Sequence, residues 1–122
     1  MKDAIQAYID AYNVKDIPAM LDLLDDQIIF ENVSNTAGVT KTTSRDEFQQ
    51  LAFQSAAYFS ERRQLIRFLV LGLDSAAVEI DYQATLAQDF PNGLKAGQSI
   101  HLRGVSIFEQ KDGKFTRISD YS

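Results

Sequence analysis

The chain has 122 residues, 45% hydrophobic and 24% charged, a balance that predicts one globular domain over residues 1–122 and excludes a disordered or membrane-spanning chain. A net charge of −5, with Arg62 and Arg63 the only adjacent basic pair, argues against nucleic acid, whose binding needs Lys and Arg clustered over phosphates. There is no cysteine and a single histidine, His101, so disulfides, thiolate chemistry and multi-histidine metal sites are excluded.

The opening residues, MKDAIQAYID, carry charge where a secretion signal needs an apolar run, and no apolar stretch of about 18 residues occurs. A soluble, cytoplasmic protein without membrane association is expected. Ile5, Tyr8, Ile9 and Tyr12 then recur at helical spacing and predict a first amphipathic helix, with Asp3 and Gln6 suited to its start. Residues 13–16 break the pattern. Asp16 suits the N-cap of a second helix, Pro18 fits its first turn, and Ile17, Met20, Leu21 and Leu24 supply its apolar face. Asp25, Asp26 and Gln27 close that helix before a short strand over residues 28–32. Residues 34–43 are polar, carry one glycine and read as a loop. Ser44 with Glu47 predicts a capping box for a third helix, whose Phe48, Leu51, Ala52 and Ser55 share a face.

Beyond Ser60 the period changes from helical to strand-like. Four strands are predicted, over residues 61–71, 76–88, 98–110 and 114–121, with turn chemistry at Asp74-Ser75, Pro91-Asn92-Gly93 and Asp112-Gly113. Short connections make them antiparallel neighbours, because a parallel pair needs a crossover of about a dozen residues or more. Helices followed by strands predict an α+β fold. The expected form is a cone-shaped α+β barrel, in which a curved, mostly antiparallel sheet wraps three N-terminal helices and leaves a cavity open at one end.

The helix pair containing AYIDAYNVKD, the IIFEN strand, the capped third helix and the closing GVSIFEQKDGKFTRISDYS hairpin cover nearly the whole chain. Together they resemble the nuclear transport factor two-like superfamily, and within it the SnoaL-like and ketosteroid isomerase-like proteins. That superfamily includes isomerases, polyketide cyclases, epoxide hydrolases and non-catalytic binding or dimerising modules, so fold and function are separate questions. The resemblance implies a homodimer packed through the outer face of the sheet. Tyr8 matches the position from which ketosteroid isomerase-like enzymes present a tyrosine hydroxyl to an oxyanion. Asn32 stands where those enzymes carry a general-base aspartate, and Gly104, in RGVSIF, where they carry a protonated aspartic acid. Asp120, in ISDYS, is similar to an aspartate that SnoaL-like cyclases and limonene epoxide hydrolase-like enzymes turn into the pocket from the last strand. In those hydrolases an asparagine on the first strand helps hold the attacking water, and Asn32 fits that place. Their Arg-x-Asp pair is represented here by Glu79 and Asp81, and their water-binding tyrosine by Phe30.

On the last strand Asp120 shares a face with Ile118 and Ser122, with Arg117, Ser119 and Tyr121 opposite. Between apolar walls such a carboxyl has its pKa raised toward neutrality and suits a general base; near a chain end it is as readily solvated or bonded to a backbone amide. Asp120, Tyr8 and Asn32 form the candidate catalytic set, and Tyr12, Phe30, Phe48 and Ile118 are the expected pocket walls. In VEIDYQA, Val78, Ile80, Tyr82 and Ala84 make the apolar face, which puts Asp81 outside. His101 points outward with Arg103 if Gly104 faces the pocket, and Arg103 can then pair with acids such as Asp81. Phe115 and Tyr121, read as lying opposite Asp120, give the outer face aromatics for a partner copy. Two functions are therefore in view. One is proton transfer of isomerase, cyclase or hydrolase type, needing no cofactor or metal, on a small, apolar, oxygen-bearing substrate with Asp120 as base. The alternative is a non-catalytic module for hydrophobic-ligand binding or dimerisation.

Overall fold

A computed structural model describes residues 1–122. Helices α1 (Lys2–Asn13), α2 (Ile17–Leu21) and α3 (Arg45–Ala57) pack against one six-stranded sheet. Its strands are β1 (Leu24–Ser34), β2 (Gly38–Thr42), β3 (Phe59–Leu71), β4 (Ser75–Leu86), β5 (Ser99–Lys111) and β6 (Lys114–Tyr121), in spatial order β2-β1-β6-β5-β4-β3. Every neighbouring pair is antiparallel except β1 and β6, which run parallel from opposite ends of the chain. The architecture is the α+β cone that the order of elements predicts.

Local chemistry explains most helix boundaries. Asp16 Oδ1 accepts from the Ala19 amide at 3.2 Å and starts α2, with proline in the first turn. Ser44 Oγ accepts from the Glu47 amide at 3.1 Å, while Glu47 Oε1 accepts from the Thr43 amide at 2.8 Å, so the expected capping box closes on the residue before the cap. Helix α1 differs from expectation. It starts after Met1 with no side-chain cap, and Gln6 donates to Asp10 instead of serving the helix start.

Three sequence expectations are overturned. The second helix ends at Leu21, and Leu24 opens β1 by pairing with Phe115. Leu24 is buried in either arrangement, so apolar spacing could not separate them. The stretch read as a loop over residues 34–43 contains β2, a hairpin partner of β1 on the sheet edge. Only Thr42 of this strand is buried, and a polar edge strand has no apolar alternation to betray it. Phe115 does not face outward. Glu109 pairs with Arg117 but Gln110 with Phe115, so Thr116 is an extra residue that reverses the alternation and turns Phe115 inward, 2% exposed.

The closed end of the cone holds the apolar core. Ile5 of α1, Ile28 of β1, Phe108 of β5 and Ile118 of β6 are essentially inaccessible. The Tyr8 ring meets Phe108 edge-on at 5.7 Å and Phe115 at 6.2 Å, between ring centroids. The outer face of β3–β5 carries charge: Arg67 lies 3.6 Å from Glu79 and 3.4 Å from Asp81, Arg103 lies 3.8 Å from Glu79, and His101 contacts Asp81. Asp81, His101 and Arg103 thus point away from the helices, as alternation predicts. No helix is long and apolar enough to cross a membrane.

Candidate functional site

Between α1, α3 and the inner face of the sheet lies a cavity of about 580 Å³, walled by apolar side chains such as Phe30, Phe48, Leu51 and Ile80. Phe30 and Phe48 brace each other edge-to-face at 5.3 Å, which ties α3 to β1 across this wall. Polar groups converge on it from separate elements. Tyr8 and Tyr12 come from α1, Asn32 from β1, Arg62 from β3, Tyr82 from β4, Ser106 from β5 and Asp120 from β6.

Sheet register builds the carboxylate end. Asp120 is aligned with Ser106 on one side and Asn32 on the other, and neighbouring strands lie about 4.8 Å apart, so the three form a polar row across the inner face. Ser106 Oγ donates to Asp120 Oδ1 at 2.6 Å. Burial against the apolar wall pushes the Asp120 pKa up from 3.8 to about 6, while the Ser106 hydroxyl, which favours the ionised form, pulls the other way. Asn32 sits at the exposed rim of the row.

Helix α1 supplies hydroxyls. Tyr8 is 5% exposed and lines the cavity, and its hydroxyl makes no hydrogen bond of the kind that joins Tyr12 to Tyr82. Its pKa is raised well above 10, first by burial and then by the Asp120 charge, with Arg62 opposing. Tyr8 therefore stays protonated, as a donor. One turn later the hydroxyls of Tyr12 and Tyr82 share a hydrogen bond at 3.0 Å, and burial raises the pKa of both.

Strand β3 is fastened to the end of this helix. The Asn13 side chain bonds both backbone groups of Gln64, at 3.0 and 2.7 Å. Beside it Arg62 Nε donates to the Tyr12 carbonyl at 3.1 Å, and the guanidinium carbon lies 3.7 Å from the Tyr12 ring centroid. Arg62 is 5% exposed, and its Nη2 is buried without a hydrogen-bond partner.

Of the residues expected at the site, Asp120, Tyr8, Asn32, Tyr12, Phe30 and Phe48 all line the cavity. Ile118 does not. It is fully buried in the core beneath, two residues before Asp120 on the same strand. Arg62, Tyr82 and Ser106 belong to the cavity without having been picked out. Alternation along β3 was the available signal for Arg62, since Gln64 and Ile66 share its face; the pairing of Ser106 with Asp120 depends on a register that sequence does not show. Gly104 faces inward opposite Ile80, yet a Cβ there would stand 2.6 Å from the Tyr121 carbonyl oxygen. That position has no room for a second carboxyl. His, Asp and Glu side chains are nowhere gathered in a group of three or more able to hold a metal.

The same fold recurs in solved structures. A proposed polyketide cyclase from Xanthomonas campestris pv. campestris is similar with a TM-score of 0.78 and 22% identity, over 99% of this chain and 88% of its own. A protein of ketosteroid isomerase-like fold from Catenulispora acidiphila reaches 0.80 at 14% identity, over 98% and 84%. An LEH-like epoxide hydrolase from M. tuberculosis reaches 0.77 at 16% identity, over 98% and 79%. At these identities the likeness is one of fold. No curated protein matches the chain. Residues 5–118, however, match the sequence model of the SnoaL-like domain, and the chain belongs to that family.

Proposed function

We propose that this SnoaL-like protein binds a small, largely apolar, oxygen-bearing molecule in the cavity and moves a proton on it, with Asp120 as general base. The observation that carries the reading is a carboxyl of pKa about 6, set against an apolar wall in the same cavity as the Tyr8 hydroxyl. At neutral pH Asp120 is mostly ionised, takes a proton from substrate or water, and holds it for return. Tyr8 donates to the substrate oxygen as charge develops there, in a site where desolvation strengthens the bond. Asn32 at the rim orients that oxygen or a water. None of these steps calls on a cofactor. The solved neighbours, which include proposed polyketide cyclases and an epoxide hydrolase, support a family of cofactor-free isomerase or cyclase type.

The test is proton exchange. Small cyclic ketones incubated in D₂O with the protein are followed by NMR for loss of the signal next to the carbonyl. Asp120→Asn is expected to slow enzyme-dependent exchange about 10²-fold or more. Exchange that is as fast in the variant as in the parent removes Asp120 from the role of base.

One observation favours the non-catalytic alternative: the cavity holds a single carboxyl, and Gly104 leaves no space for another. On that reading a molecule co-purifying with the protein, detected by native mass spectrometry, is released chemically unchanged on prolonged incubation. A homodimer is part of either reading. Phe68, Val105 and Tyr121 are exposed and aligned through Glu79 in one row across β3–β6 on the outer face, apolar side chains among charges that a second copy would cover.

A further inference from the structure

We propose that the ligand of this cavity is an organic anion, a carboxylate or its equivalent on an apolar skeleton, and that Arg62 receives its charge. The inference rests on the binding part of the reading above and not on turnover.

Arg62 and Asp120 are the only charged side chains that line the cavity. Arg45, Arg67, Arg103 and Arg117 all meet carboxylates; neither Arg62 nor its neighbour Arg63 is in an ion pair, and Arg63 is exposed to solvent. Those four are also far more exposed than Arg62, which is 5% accessible. A buried guanidinium without a counter-charge is costly, and the protein meets only part of that cost. The Tyr12 carbonyl takes Nε, the Tyr12 ring covers one face, and Nη2 is left buried with no partner.

Asp120 does not fill the gap. Its Oδ1 is engaged by Ser106, it makes no ion pair with Arg62, and the Arg62 charge is not among the causes that move its pKa. A purely mechanical role, clamping β3 to the last turn of α1, uses Nε and the stacking contact alone. It accounts for neither the unbonded nitrogen nor the choice of a charged side chain at a cavity wall. A carboxylate accounts for both, because its two oxygens match the planar fork of a guanidinium. Of the hydroxyls of Tyr12 and Tyr82, on the same wall, one donates to the other and the second has its O–H free for the anion. A wholly neutral apolar ligand would seal the charge in still further and leave it unpaired.

Isothermal titration with 2-naphthoate and 2-naphthamide, matched in shape and differing in charge, tests the assignment. The unmodified protein is expected to bind the acid at least about tenfold more tightly than the amide, the difference a charge-assisted hydrogen bond supplies. Arg62→Met should erase the preference while holding the amide affinity within about twofold, and Arg62→Lys should keep a smaller preference than the parent, because an ammonium keeps the charge but not the planar fork. Equal affinity of the parent for acid and amide overturns the anion assignment but leaves the pocket reading standing. Failure of both to bind at millimolar concentration brings down the pocket reading as well. A preference that survives Arg62→Met places the anion elsewhere and also overturns the assignment. Where Arg62→Met does not fold, the ratio in the parent and in Arg62→Lys decides.

Discussion

Replacing Asp120 by Asn should make the protein more stable at pH 8 and leave it nearly unchanged at pH 4. The Asp120 pKa stands at about 6 in the folded chain against 3.8 ordinarily. Between those values the native state holds a proton that the unfolded chain has released, so stability falls as pH rises from about 4 to about 6 and is level above. At about 1.4 kcal/mol per pH unit, ionising this carboxyl in place costs about 3 kcal/mol at pH 8. Asparagine keeps the shape, carries no charge at any pH, and retains a carbonyl that can accept from Ser106. Urea unfolding of both proteins at intervals from pH 4 to pH 8 should therefore give curves that coincide at the acid end. They should separate by up to about 3 kcal/mol at the other end, a large share of the roughly 5–15 kcal/mol typical of such domains. Other titrating groups are common to both proteins and drop out of the difference. A pH-independent gap, or an asparagine variant that is the less stable at pH 8, would refute a carboxylate whose charge is disfavoured by its surroundings.

Gly104→Ala should lower stability by about 1–3 kcal/mol in thermal melts, because the new methyl would meet the Tyr121 carbonyl oxygen at 2.6 Å and that oxygen belongs to β6 backbone. An unchanged melting temperature would show that the strands separate freely there. Phe68→Glu, at a side chain 65% exposed on the outer face, should yield a monomer in light scattering at concentrations where the parent is a dimer. A monomeric parent would remove the outer face as a self-association surface.

Fold class was legible because all three helices precede the four long strands β3–β6 and because Asp16 and Ser44 announce the starts of α2 and α3. What escaped notice had no apolar pattern or had its pattern broken. Strand β2 has one large apolar residue, the exposed Val39, so no alternation distinguishes it from a loop until it pairs with β1. Phe115 was misplaced by one extra residue, Thr116, since a bulge reverses every side chain on one side of it. Asp81 was placed outside correctly because no bulge interrupts β4 between Val78 and Ala84 in its pairing with β5.

The site was half legible for a related reason. Asp120, Tyr8 and Asn32 could be named singly, yet their environment comes from partners far along the chain. Ser106 reaches Asp120 only because β5 and β6 pair in one register, and that contact moderates the pKa on which the proposed chemistry depends. Arg62 is the instructive omission. It was noted only as half of the one adjacent basic pair, although the alternation that sends Asp81 outward on β4 sends Arg62 inward on β3, where it pairs with Ala84. The close passage of β6 over Gly104 then determines what this interior can be. With no room there for a second carboxyl, the cavity is left with one acid whose pKa lies near neutrality and one unpaired cation. That charge arrangement suits an anionic guest and a single proton-transfer group, and it differs from an isomerase site with two carboxyl groups.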